Sequence, residues 1–178
     1  MDLISTTSVG AGGSASITFS SIPSTYTDLV LVLSCRGTGA GNCFIQLQMN
    51  SVTTGYDTKA IRGESSVSST TGTALGITNN YWIGMTGGSN ITANAFTSVN
   101  VVIPNYAGSN AKYLLAEYSK ETNDTAAYEN GEMIGSCTST AAISSLTLTL
   151  LLNGATYAQY STASLYGILK GSGGATAA

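Results

Sequence analysis

The sequence predicts an all-β protein: a two-sheet antiparallel sandwich that is jelly-roll-like. β-branched residues and tyrosines dominate its apolar set, and Gly, Ser and Asn interrupt that set at short intervals. This pattern is typical of short strands joined by tight turns. No window of a dozen residues has the apolar periodicity of a helix. The number of candidate strands favours a jelly roll over the immunoglobulin-like sandwich, which is the alternative.

Eleven segments have the composition of strands. In chain order they are 3–7, 15–19, 28–36, 43–49, 58–62, 81–85, 95–103, 111–119, 132–137, 143–152 and 161–170. Residues 63–76 are rich in Ser, Thr and Gly, and we expect a long loop or a ragged edge strand there. We expect a single domain over residues 1–170, followed by a flexible tail at 171–178.

Alternation within the segments indicates which side chains face a core. Ile45, Leu47 and Met49 alternate with glutamines, so they should share one sheet face. Residues 29–33 are continuously apolar instead. That pattern fits a central strand covered on both faces, or a strand with one face covered by a neighbouring subunit.

Turn signals predict how some strands connect. The pairs Asn130-Gly131 and Asn153-Gly154 are typical of tight hairpins, because both residues tolerate positive φ. The second pair should return segment 143–152 into a strand that starts at residue 155. Asp28 follows a corner that contains Pro23, and we expect its carboxylate to accept backbone N–H groups.

The composition excludes some classes of partner. Only 8% of the residues are charged, against roughly 25% in an average soluble domain. A nearly uncharged surface is poorly protected against association, which favours an assembled state. Binding to nucleic acid is not expected because the basic residues are scattered; they are Arg36, Lys59, Arg62, Lys112, Lys120 and Lys170. The longest apolar runs are too short to cross a membrane, so no membrane partner is expected.

The residue types argue against an enzyme. The chain has no histidine, so it cannot form a Ser-His-Asp or Cys-His arrangement. We predict no catalytic residues, no cofactor and no metal site. Five acids do lie close together in the chain: Glu117, Glu121, Asp124, Glu129 and Glu132. They could form a solvated hairpin, an oxygen-rich calcium site or a catalytic carboxylate pair, and the first interpretation is preferred.

Cysteines and aromatic residues leave further alternatives open. Cys35 and Cys43 could pair across neighbouring strands, but free buried thiols are the preferred interpretation for them and for Cys137. Four aromatic residues are candidate contacts with a partner chain or a glycan. They are Tyr81, Trp82, Tyr157 and Tyr160. For Trp82, a position in the core or in a subunit contact is the alternative to sugar stacking.

A set of segments resembles small structural proteins of tailed bacteriophages. It comprises the strand at 15–19, the corner at 21–29, the apolar strand ending near Arg36-Gly37, the segment 45–50 followed by Gly55-Tyr56, and the closing segment 162–168. Together these cover about half of the chain. Residues 63–94 match no pattern of that family.

The resemblance implies a virion component with a jelly-roll-like domain and supplies no catalytic residues. We expect a capsid decoration (cement) protein that binds and stabilises the head shell and is assembled in the cytoplasm of the host bacterium. The expected partners are further copies of the chain, as a homotrimer, and the major capsid protein or other virion proteins. The alternative is a tail-fibre or head-fibre domain that recognises a host surface glycan.

Overall fold

The computed structural model describes residues 1–64, 73–74, 78–122, 129–152 and 154–169. Across these ranges the protein has twelve strands and no helix, and hence no helix that could cross a membrane. The strands are β1 (Asp2–Ser8), β2 (Ser16–Phe19), β3 (Asp28–Cys35), β4 (Cys43–Met49), β5 (Tyr56–Glu64), β6 (Thr73–Ala74), β7 (Tyr81–Thr86), β8 (Thr97–Ile103), β9 (Lys112–Lys120), β10 (Glu129–Cys137), β11 (Leu146–Leu151) and β12 (Thr162–Ile168).

The strands form two antiparallel sheets. The large sheet has the order β1-β12-β3-β8-β9-β10-β5-β6, and the small sheet has the order β2-β11-β4-β7. Without β5, β6, β9 and β10, each sheet has four strands, and the chain alternates between the sheets at every step except from β4 to β7, which are neighbours in the small sheet. This is the connectivity of a jelly roll. The four additional strands extend the large sheet beyond β8, and the predicted all-β sandwich is confirmed.

The predicted strands are found close to their expected positions. Each of the eleven segments overlaps one observed strand, and segment 43–49 has the observed bounds of β4. The additional strand β6 pairs with β5 at the edge of the large sheet. It lies inside the segment expected to be a loop or a ragged edge strand. The predicted tail at 171–178 lies outside the described residues.

The prediction of a hairpin at Asn130-Gly131 is wrong. Both residues lie inside β10, which pairs with β9 on one side and β5 on the other. Gly131 is needed for space rather than for a turn. A Cβ atom there would lie 2.5 Å from Cε1 of Tyr118, the residue directly opposite on β9. The glycine therefore accommodates the buried Tyr118 ring.

The predicted return after Asn153-Gly154 is also wrong. The chain does turn there, since Gly154 has a φ of +60°, while Asn153 lies outside the described residues. However, β11 pairs with β2 and β4, and the chain then crosses to β12 in the other sheet. The pattern of apolar residues could not distinguish a hairpin from a crossing between sheets.

The core lies between the inner faces of the sheets. Leu29, Leu31 and Leu33 of β3 are buried from the large sheet, and Ile45 and Leu47 of β4 are buried from the small sheet. Val30 and Val32 alternate with the buried residues of β3 and point to the opposite, outer face of the large sheet. The continuously apolar segment 29–33 is thus a central strand with only one face in the core.

Two polar anchors fix the loops at the ends of the strands. Asp28 accepts a hydrogen bond from the backbone N–H of Asn105 at 2.8 Å, as predicted. The buried Lys112 donates from Nζ to the carbonyl oxygens of Gly108 and Asn110, both at 2.6 Å, and of Thr140 at 3.3 Å. Burial lowers the pKa of Lys112 below its ordinary value of 10.5.

Candidate functional site

The outer face of the large sheet carries a continuous row of apolar side chains. The register places one of them on each of six neighbouring strands. They are Leu3, Tyr166, Val30, Val102, Leu115 and Ile134. With neighbouring strands about 4.8 Å apart, the row is about 24 Å long. We call these six residues the apolar row.

The apolar row is open to solvent in the isolated chain. Four of its members are between 39% and 58% exposed, while Tyr166 and Val30 are half-buried. Val32 and Ile61 lie one row further on the same face and are also exposed. Single exposed apolar residues are normal on a protein surface, whereas a continuous patch indicates an interaction site. This face is therefore the candidate functional site.

A pair of glutamates adjoins the apolar row. Glu117 of β9 and Glu132 of β10 are directly opposite each other, and both are exposed. On the neighbouring strands, Asn100 of β8 is opposite Glu117 and Ile61 of β5 is opposite Glu132. Residues directly opposite on antiparallel strands have Cβ atoms about 5 Å apart, and like charges in that position destabilise the pair. A cation on a neighbouring molecule would relieve this repulsion.

Glu129 of the 117–132 stretch does not join this pair. Glu129 is buried on the opposite face, where its Oε2 lies 2.9 Å from Nζ of Lys120. Its other carboxylate oxygen accepts the hydroxyl of Tyr118 and lies 3.4 Å from Nη1 of Arg62. The network joins strands β5, β9 and β10. Glu121 is exposed, and the predicted position Asp124 lies outside the described residues.

The described side chains do not form a metal site. No group of three or more His, Cys, Asp or Glu residues among them is arranged to bind an ion. The cysteines are buried free thiols, and burial raises the pKa of Cys35 to about 12. The possible Cys35–Cys43 disulfide is therefore not present in this structure.

Tyr81 and Trp82 are not surface residues, contrary to the glycan-contact prediction. Both are buried. The Tyr81 hydroxyl donates to the Lys112 carbonyl at 3.1 Å, and its ring meets that of Tyr56 edge-on at 4.8 Å. Trp82 packs edge-on against Phe44 at 4.4 Å. Tyr81 is opposite the core residue Leu47, whereas Trp82 is opposite Gln46 and lies with Phe44 on the other face of the small sheet. Both side chains are buried and present no open ring face to a sugar.

Tyr157 is buried as well, so its predicted contact with a partner is corrected in the same way. Its backbone bridges to Ser14 and Gly37, and burial raises the pKa of its hydroxyl. Tyr160 differs, since 68% of the residue is exposed. It stands beside a cavity of about 240 Å³ that Arg36 and Asn94 also line. Of the four predicted contact residues, Tyr160 alone is exposed.

The sequence has no match among known families. No protein-family model matches it, and no curated protein matches it. The resemblance to phage structural proteins therefore stays a prediction. The function has to be argued from the surfaces of the molecule.

The apolar row was not predicted from the sequence. Only one of the sequence patterns that belong to it, the continuously apolar segment 29–33, was recognised. Segment 29–33 was expected to be a central strand covered on both faces, or a strand with one face covered by a neighbouring subunit. In the structure, Val30 on the outer face of this strand belongs to the apolar row. The adjacent pairs Val101-Val102 and Leu114-Leu115 carry the same signal, since consecutive residues of a strand point to opposite faces. Joining these signals into one row requires the register between strands.

Proposed function

We propose that this chain is a structural component of a bacteriophage virion: a decoration protein that binds the head shell as a homotrimer. In this proposal the outer face of the large sheet packs against a second copy of the chain. The apolar row is the observation that carries it. The jelly-roll connectivity is compatible with the proposal, because viral capsid domains are among the proteins that use it.

The hydrophobic effect favours covering the apolar row. Removing apolar surface from water contributes about 25 cal/mol for each Å² buried, so a row on six strands supports a specific contact. The low charge of the chain points the same way, because few charged side chains would have to lose their hydration when the face is covered.

Charge complementarity favours a second copy as the occupant. The exposed face offers two carboxylates, from Glu117 and Glu132, beside the apolar row. Lys59 of β5 is directly opposite Ile134, at the end of the same row; it is exposed, and its Nζ lies 2.9 Å from Oδ2 of Asp57. One copy therefore presents both the acidic pair and a basic group that could approach it in another copy.

Light scattering of the purified protein, followed by mixing with phage heads, tests the proposal. The heads come from the phage that encodes the chain and are stripped of their minor proteins. The proposal predicts a stable trimer that binds the heads again and raises their resistance to heat. A monomer at micromolar concentration contradicts the assembled state, and a trimer that does not bind heads contradicts the decoration role.

A further inference from the structure

A cavity lies at one end of the sandwich, where three loops of the large sheet meet. Arg36 follows β3, Asn94 and Phe96 precede β8, and Gln159 and Tyr160 precede β12. Because β12, β3 and β8 are neighbours in the sheet, these loops converge. The cavity volume of about 240 Å³ is below the range of pockets for drug-sized ligands. It suits a ligand the size of a single sugar ring.

Tyr160 adopts a backbone conformation that is costly for tyrosine. It is the third residue of a turn in which the N–H of Ser161 donates to the carbonyl of Ala158 at 3.1 Å, and its φ is +70°. Gly or Asn is the usual residue at such a position. The exposed ring gains little packing in return. A strained, exposed aromatic residue beside a cavity indicates a role for the ring in binding.

Arg36 supplies a positive charge to the cavity. Its Nη1 donates to the carbonyl oxygens of Thr92 and Ala95, and its Nη2 donates to that of Ile91 at 3.1 Å. A guanidinium has five N–H donors, so two remain after these three bonds. Within the described ranges, Arg36 forms no salt bridge with a carboxylate, and none of the residues that line the cavity is acidic.

We infer that this cavity binds a pyranose that carries a carboxylate, such as a uronic or sialic acid residue of a surface glycan. The ring of Tyr160 packs on the face of the sugar, and Arg36 pairs with its carboxylate. The side-chain amides of Asn94 and Gln159 can both donate to and accept from hydroxyl groups. The combination of cation, aromatic ring and amides distinguishes an acidic sugar from a simple anion.

The inference is independent of the proposed assembly. Arg36 lies six residues along the chain from Val30 of the apolar row, which corresponds to about 20 Å of extended strand. The cavity therefore lies outside the apolar row and can stay open when the row is covered. Failure of sugar binding would leave the assembly proposal intact, and a monomeric protein would leave the cavity intact.

Saturation-transfer difference NMR on the full chain tests the ligand class. The probes are glucuronate and N-acetylneuraminate, with glucose as the neutral sugar and acetate as the carboxylate alone. We expect binding of the acidic sugars in the millimolar range and at least tenfold weaker binding of glucose and acetate. An equal response to glucose or to acetate overturns the assignment, as does the absence of any response.

The variant Tyr160→Asn separates binding from folding. Asn tolerates a positive φ, so this change should raise the melting temperature while it weakens binding of the acidic sugars at least tenfold. The matched control is Tyr113→Asn, which removes an exposed tyrosine from the sheet face and should leave binding unchanged. Unchanged binding in Tyr160→Asn overturns the role of the ring. A lower melting temperature overturns the backbone strain at Tyr160 from which that role is argued.

Discussion

Leu115 and Ile134 lie directly opposite each other on strands β9 and β10, and both side chains are exposed on the outer face of the large sheet. Apolar pairs in this position stabilise a sheet, but these two also expose apolar surface to water. Each has a buried neighbour in its own strand, Leu114 and Met133. Strands β9 and β10 are thus apolar on both faces at this point, which fits a sheet covered on both sides.

A charge in the apolar row should dissociate the assembly. In Ile134→Lys, an ammonium group would have to lose its hydration when the outer face is covered, so we expect a monomer by light scattering. The matched control is Ser119→Lys, which places the same charge on the same face outside the row. Dissociation by both variants, or by neither, would contradict an interface centred on the row.

Adding a single methyl group at Gly131 should destabilise the protein. A Cβ at this position lies 2.5 Å from the Tyr118 ring, so Gly131→Ala should lower the free energy of unfolding by about 1–3 kcal/mol. Gly63→Ala on the neighbouring strand β5 is the control, because nothing lies within 4 Å of its Cβ. Urea unfolding monitored by circular dichroism measures the difference. Equal stability of the two variants would contradict the steric role of Gly131.

The buried ion pair between Lys120 and Glu129 should contribute more to the free energy of unfolding than an exposed ion pair does. Lys120→Met removes the nearer of two cations from the buried Glu129 carboxylate and leaves Arg62 at 3.4 Å, which should cost about 1–3 kcal/mol of unfolding free energy. In contrast, Lys59→Met breaks the exposed pair with Asp57, for which about 0–1 kcal/mol is expected. Urea unfolding at neutral pH compares the two. Similar losses would show that Glu129 does not depend on Lys120.

Alkaline pH should destabilise the protein through its buried thiol. Burial raises the pKa of Cys35 from 9.0 to about 12, so the folded state holds a proton that the unfolded state releases. The stabilisation from this group is therefore complete below pH 9 and is lost as the pH rises from 9 to about 12. Urea unfolding across this range measures the slope. We expect Cys35→Ala to have a shallower slope, and an unchanged slope would contradict the assignment.

Strands were easier to predict than their connections. The alternation of Ile45, Leu47 and Met49 reports burial on one face directly, and β4 was found at its predicted bounds. The glycine of Asn130-Gly131 was misread because a glycine needed for space and a glycine needed for a turn look the same in a sequence. Only the register, which places Tyr118 opposite Gly131, distinguishes them.

The candidate contacts were harder to predict than the fold. Tyr81, Trp82 and Tyr160 all stand next to polar residues or turns in the sequence, yet the first two are buried and the third is exposed. Aromatic rings are amphipathic, so residue type alone does not decide between these positions. The apolar row escapes sequence reasoning for a different reason, because its members come from six separate strands.

Hydroxyl-radical footprinting of the purified protein tests the covered outer face most directly. Ile134 of the apolar row is 54% exposed in the isolated chain, and Leu152, in the turn after β11, is 47% exposed. If the outer face packs against a second copy, Ile134 should be oxidised much more slowly than Leu152 in the assembled protein. Equal oxidation of the two residues would show that the face is open to water and would contradict the proposed assembly.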